Sequence, residues 1–107
     1  VFTQEQKDSL KQKLISCLAG EEEIRRIVIF GSFVKSSDPH DLDVAVFQNS
    51  NEKYLPLAMK YRKKTRAIAR IMPLDIIPLK AEAVSGTFMD EIAQGEIIYE
   101  RRDETVA

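Results

Sequence analysis

A chain of 107 residues makes one small domain, 1–107, with a single core within reach and little stability to spare. Its 16 basic and 17 acidic residues almost cancel, so net charge neither marks nor excludes a nucleic-acid partner, and only the distribution of charge can. Cys17 stands alone, which excludes an internal disulfide framework and fits a reducing compartment. No apolar run approaches the roughly 20 residues that span a bilayer, and the N-terminus lacks the basic-then-apolar plan of a secretory signal. The expectation is a cytoplasmic protein with no membrane partner. The chain opens on Val1 rather than Met, which allows for sequence removed ahead of it.

Thr3 and Gln6 have the spacing of a capping box, and Leu10, Leu14 and Leu18 recur every fourth residue before Gly20. This pattern predicts an amphipathic helix over 4–19. IRRIVIF (24–30) is apolar and β-branched toward its end and reads as a strand running into Gly31; DLDVAVF (41–47) reads as a second strand. The link of about ten residues between them is too short for a helical crossover, so the two should pair antiparallel. After the turn-like QNSN (48–51), residues 52–71 read as one long helix. Tyr54 and Tyr61 are spaced to share its packed face. MPLDIIPL (72–79) is a third strand, Pro73 and Pro78 hinting at an edge or at exposed strand ends. Thr87 to Asp90 offers another cap for a short helix to Gln94, stopped by Gly95. EIIYE (96–100) is a last strand, and RRDETVA reads as a frayed tail. The order α-β-β-α-β-α-β predicts an α/β (α+β) layer fold: a mixed, largely antiparallel small sheet with helices packed on it.

Alternation along a strand points Asp41 and Asp43 the same way, with Leu42, Val44 and Val46 opposite. Two such carboxylates sit roughly 6.5–7 Å apart and, at an effective dielectric near 20, repel by about 2–3 kcal/mol. Either they form a solvated strand edge, or a divalent cation with hard oxygen ligands offsets them. Asp75 is a lone acid inside the third apolar strand; were that strand to lie beside 41–47, a three-acid cluster able to hold two metal ions would result. Gly31-Ser32, at the mouth of the first strand, reads either as an ordinary turn with a serine cap or as a phosphate seat. In the second case glycine permits close backbone approach, the serine supplies N–H and hydroxyl, and a short helix begins near Phe33. Lys35, a few residues on, reads either as a lone surface lysine or as one that could reach the same phosphate. His40 reads as a loop residue or a hydrogen-bond partner of the acids rather than a ligand.

FGSFVKSSDPHDLDVAVF together with PLDIIPL resembles the signature of the DNA polymerase beta-like nucleotidyltransferase superfamily, and the chain length and GEIIYER are similar to its minimal nucleotidyltransferases. The likeness runs from about Ile24 to Arg102. It implies that Asp41 and Asp43 bridge two Mg²⁺ ions. Asp75 would bind the catalytic ion and assist deprotonation of the attacking hydroxyl. Gly31 and Ser32 would hold the terminal phosphates of a nucleoside triphosphate, with Lys35 as helper. The implied reaction is transfer of a nucleotidyl group, most often AMP from ATP, and the implied partner is a HEPN-domain toxin that the chain adenylylates or neutralises as its antitoxin. In this sequence Ser36 stands where a glycine often follows the basic residue of the link.

Two alternatives belong to other classes. The same fold could act as a non-catalytic module that covers its partner. KYRKKTRAIAR (60–70) carries six basic residues and no acid, which reads as a solvated helix face, an RNA-facing patch or a docking surface for an acidic partner. No RNP or KH signature accompanies it.

Overall fold

The computed structural model describes residues 2–81 and 87–101, with the side chains of 87 and 88 left aside. The capping box forms as the sequence demands: the Thr3 hydroxyl accepts from the Gln6 backbone N–H at 3.1 Å, and the Gln6 side chain accepts from the Thr3 N–H at 2.8 Å. It starts α1 (Gln4–Leu18), whose Leu10, Leu14 and Leu18 are buried. There follow β1 (Ile24–Phe30), the single turn α2 (Ser32–Lys35), β2 (Leu42–Gln48), α3 (Tyr54–Lys64), α4 (Arg66–Ala69), β3 (Leu74–Lys80), α5 (Thr87–Ala93) and β4 (Glu96–Glu100).

The strands form one sheet in the order β3-β2-β1-β4. β1 pairs antiparallel with both β2 and β4, whereas β2 and β3 are parallel. The expected mixed, largely antiparallel sheet is therefore present, with β3 at an edge, the first of the two readings its prolines allowed. Alternation sorts the strand side chains into two layers. Ile27, Ile29, Val44, Val46 and Ile76 pack against Leu10, Leu14 and Leu18 of α1, Leu57 and Tyr61 of α3 and Ile68 of α4. On the other face Val28, Phe30, Ala45 and Phe47 pack against Ile92 of α5. α5 ends at Ala93 and the chain turns through Gly95, where a Cβ would lie 2.5 Å from the Ile29 carbonyl oxygen; only glycine lets the chain pass this close to β1.

Three expectations are corrected. The helix predicted over 52–71 is broken at Thr65, which sits at φ −105°, ψ 16°, while its buried hydroxyl donates to the Tyr61 carbonyl at 2.8 Å. A threonine bonded back to the preceding turn bends a helix, and here it separates α3 from α4. Tyr54 does not share the packed face with Tyr61: it is the first residue of α3 and 56 % exposed, whereas Tyr61 is fully buried. Asp41 stands one residue ahead of β2 rather than inside it. The cap proposed at Thr87 and the tail from 102 onward lie outside the described residues and side chains.

Part of the basic stretch is structural. The Lys60 ammonium lies 3.0 Å from Glu23, 3.2 Å from Glu21 and 3.2 Å from Glu52, and the Tyr61 hydroxyl donates to Glu23 at 2.9 Å. Burial pushes the Glu23 carboxyl up, but hydrogen bonds from Lys60, its own backbone N–H and Tyr61 outweigh this and hold it below its ordinary value of 4.5. A depressed carboxyl stabilises the fold fully above the unfolded-state pKa and loses that contribution as pH falls through the folded value. The native chain is accordingly expected to lose thermal stability as pH drops below about 4.5, and Glu23→Gln to flatten that acid limb. Melting temperatures measured against pH for both chains check this.

Candidate active site

β1 delivers the chain to Gly31, which adopts φ 76°, ψ −149°, a region that is essentially glycine's alone. The reason is the neighbour. Asp43 is paired with Phe30 across the β1–β2 ladder, and a Cβ on Gly31 would lie 2.6 Å from Asp43 Oδ2. The Asp43 carboxylate thus rests against bare backbone where a side chain would ordinarily stand. Ser32 and Phe33 open α2, whose first N–H groups lie beyond the reach of intrahelical bonds.

On the other side of β2, the parallel register sets Asp75 directly beside Asp43. The alternation that turns Ala45 and Phe47 toward α5 turns Asp43 the same way. Burial first, and then the negative charges of Asp75, Asp41 and Glu91, push the Asp43 carboxyl above its ordinary 3.8. Asp41 and Asp75 are exposed while Asp43 is half-buried, so the cluster has one sheltered acid flanked by two open ones. Glu91, on α5, is the member that sequence reading missed. Nothing local to TFMDEIAQ marks it; only the packing of α5 over the sheet brings its charge to Asp43.

Among the described residues no lysine or arginine pairs with Asp41, Asp43 or Asp75. Lys35, expected to face the phosphates, reaches instead toward the end of α5, where its ammonium donates to Gln94 Oε1 at 3.4 Å. His40 is exposed beside the acids. Among the described residues no three His, Cys, Asp or Glu side chains stand close enough to close round one ion. The acids are neighbours rather than a finished cage. This donor set fits a small hard cation that takes one or two carboxylates and completes its shell with water and phosphate oxygens, as magnesium does. Uncompensated charge round a half-buried acid is what such an ion would offset.

An open mixed sheet with Gly-Ser leaving one strand and acids on the next strand and on the one beyond it is the architecture of nucleotidyltransferases. The chain belongs to the family described as Polymerase beta, Nucleotidyltransferase, whose model matches residues 12–104. It is similar in structure to a chain of the complex between tri-AMPylated Shewanella oneidensis HEPN toxin and MNT antitoxin, with TM-score 0.66 and 18% identity over 89% of this chain and 73% of that one. A chain of the MntA–HepT toxin–antitoxin matches with TM-score 0.63 and 18% identity over 88% and 73% of the two chains. A toxin–antitoxin solved with AMP-PNP matches with TM-score 0.66 and 20% identity over 86% and 74%. At these identities the likeness is one of fold. No curated protein sequence matches the chain. No described helix is long and apolar enough to cross a membrane.

Proposed function

We propose that this chain is a magnesium-dependent nucleotidyltransferase that moves a nucleotidyl group, AMP from ATP, onto a hydroxyl of a protein partner. The partner on this reading is a HEPN-domain toxin, for which the chain is the cytoplasmic antitoxin. One observation carries the proposal: Asp43 lies against a glycine that admits no side chain, in register beside Asp75 and next to Asp41, with no cation among the described residues to offset them. The similarity in fold to chains of HEPN toxin–MNT antitoxin complexes, one containing a tri-AMPylated toxin, supports the choice of partner and of transferred group.

Magnesium bound by Asp41, Asp43 and Asp75, as two ions, would neutralise charge on the phosphates and on the reacting oxygens. The residues do the rest by position. Gly31 carries no side chain to bar close approach, and the N–H groups opening α2, with the Ser32 hydroxyl, receive the terminal phosphates. Lys35 has only a long hydrogen bond to leave in order to join them. Asp75, exposed, takes the proton from the acceptor hydroxyl. That oxygen then bonds to the α-phosphorus, the bond from the α-phosphorus to the bridging oxygen breaks, and pyrophosphate departs with the electron pair.

A second reading is favoured by one observation, the lack among the described residues of three ligands closing on one ion. It makes the chain a binding module that neutralises its partner by covering it. Intact-mass spectrometry of the HEPN protein of the same host, after incubation with the native chain and MgATP, separates the two. Transfer predicts added nucleotidyl groups that disappear with Asp41→Asn/Asp43→Asn. A complex that forms with no added mass would sink the catalytic reading and leave the module.

A further inference from the structure

Five of the six basic side chains of the stretch 60–70 fall into two sets in the fold. Lys60 and Lys64 turn toward Glu21, Glu23 and Glu52. Arg62, Lys63 and Arg66 rim a groove of about 690 Å³ between α3, α4 and the start of β3, which the paired Lys60 also lines. Among the described residues none of these three cations has a hydrogen bond or ion pair from its side chain. Arg62 and Lys63 are adjacent at the end of α3 and Arg66 opens α4, so like charges gather there with no acid among the described residues paired to offset them. The floor of the groove is apolar, from Met59, Ala69 and Leu74. Met59 is 60% exposed, and Leu55, one turn earlier on α3, is 61% exposed. An apolar strip on one helix, open to water and edged by unpaired positive charge, is a surface made for something with the complementary pattern.

Two classes of macromolecule carry negative charge to such a surface. A single-stranded nucleic acid would be held by stacking its bases on aromatic rings, and among the described residues no aromatic side chain lines this groove. A protein helix would bury an apolar stripe on the floor and set acids against the rim. Methionine and arginine are the residues that protein interfaces enrich, methionine because its unbranched side chain adapts to what it meets. We propose that the groove between α3, α4 and β3 docks an acidic amphipathic helix of a partner protein. The proposal goes beyond nucleotidyl transfer and does not depend on it. Leu74 directly precedes Asp75, so a partner seated there lies along the edge strand that bears one of the acids.

The test uses the full chain and fluorescence anisotropy with labelled probes. The first is a synthetic peptide of roughly five helical turns, with leucines at i, i+3, i+4 and i+7 and glutamates on both flanks of that stripe. The second is a scrambled peptide of the same composition, and the third an oligouridine strand. The native chain should bind the acidic amphipathic peptide at least about tenfold tighter than the scramble, and Arg62→Glu/Arg66→Glu should lose about tenfold or more of that affinity. Met59→Ser should weaken it as well. Arg62→Gln/Arg66→Gln gives a milder loss in a chain without new charge, which keeps the comparison valid if the charge-reversed chain folds poorly. Equal binding of scramble and stripe would overturn the proposal, as would affinity unchanged by the arginine substitutions. Tighter binding of oligouridine than of the peptide, lost with the same substitutions, would overturn it in favour of a nucleic-acid surface.

Discussion

Asp43→Asn is expected to lower nucleotidyl transfer by on the order of a thousandfold or more while raising the melting temperature of the ligand-free chain. The first effect follows from the metal's contribution: several kcal/mol of charge stabilisation in the transition state correspond to roughly three decades of rate. The second follows from the apo site. Burial and the charges of Asp75, Asp41 and Glu91 all act against the ionised Asp43. A carboxyl whose folded pKa is raised above its unfolded value costs stability once it is ionised, so at neutral pH the neutral amide removes that cost. Opposite signs for activity and stability would separate a functional acid from a structural one. Label transfer from α-³²P-ATP and thermal melts of the same preparations measure both; a variant that is less stable than the native chain would show that Asp43 supports the fold instead.

Gly31→Ala is expected to cost both stability and activity. The backbone at φ 76°, ψ −149° is one that alanine adopts only with strain, of order 1–3 kcal/mol. The new methyl would also fall 2.6 Å from Asp43 Oδ2, so the carboxylate must move. A shift of about 1 Å at a reacting centre can cost on the order of a hundredfold in rate. Turnover should therefore drop by about that factor even where enough folded protein remains to assay. Ser32→Ala, which leaves the backbone and Asp43 alone, should lose far less. If Gly31→Ala transfers label as well as the native chain does, the close approach of Gly31 to Asp43 has no part in the chemistry.

What the sequence could reveal depended on whether the signal was local. The capping box at Thr3 and Gln6, the leucine stripe behind it and the apolar strand runs are local, and α1, β1 and β4 fall where the residues put them. The short link to Asp41 settled the antiparallel pairing of β1 with β2 for the same reason. The break at Thr65 was hidden because threonine is tolerated inside helices; its effect comes from a buried hydroxyl bonded back to the carbonyls of the preceding turn, which only packing decides. Tyr54 was misread because a helical period says which residues share a face but not where the helix begins.

At the site, the adjacency of Asp43 and Asp75 was legible as a condition: it required β3 to lie beside β2, and the parallel register meets it. Two parts were not legible. Lys35, at the end of α2, turns to Gln94 in the turn after α5, a contact that no spacing encodes. Glu91 joins the acids only because α5 covers that face of the sheet. The division of the basic stretch into paired and unpaired cations likewise depended on where Glu21, Glu23 and Glu52 come to rest.

The most direct measurement is manganese binding, followed by electron paramagnetic resonance in the presence of a non-hydrolysable ATP analogue. Magnesium sites of this kind accept Mn²⁺ through the same oxygen donors. The native chain should take up the ion, and Asp41→Asn/Asp43→Asn/Asp75→Asn should weaken uptake by about tenfold or more, since even residues that merely support metal ligands contribute that much. A native chain that holds no more manganese than the triple variant would contradict the account.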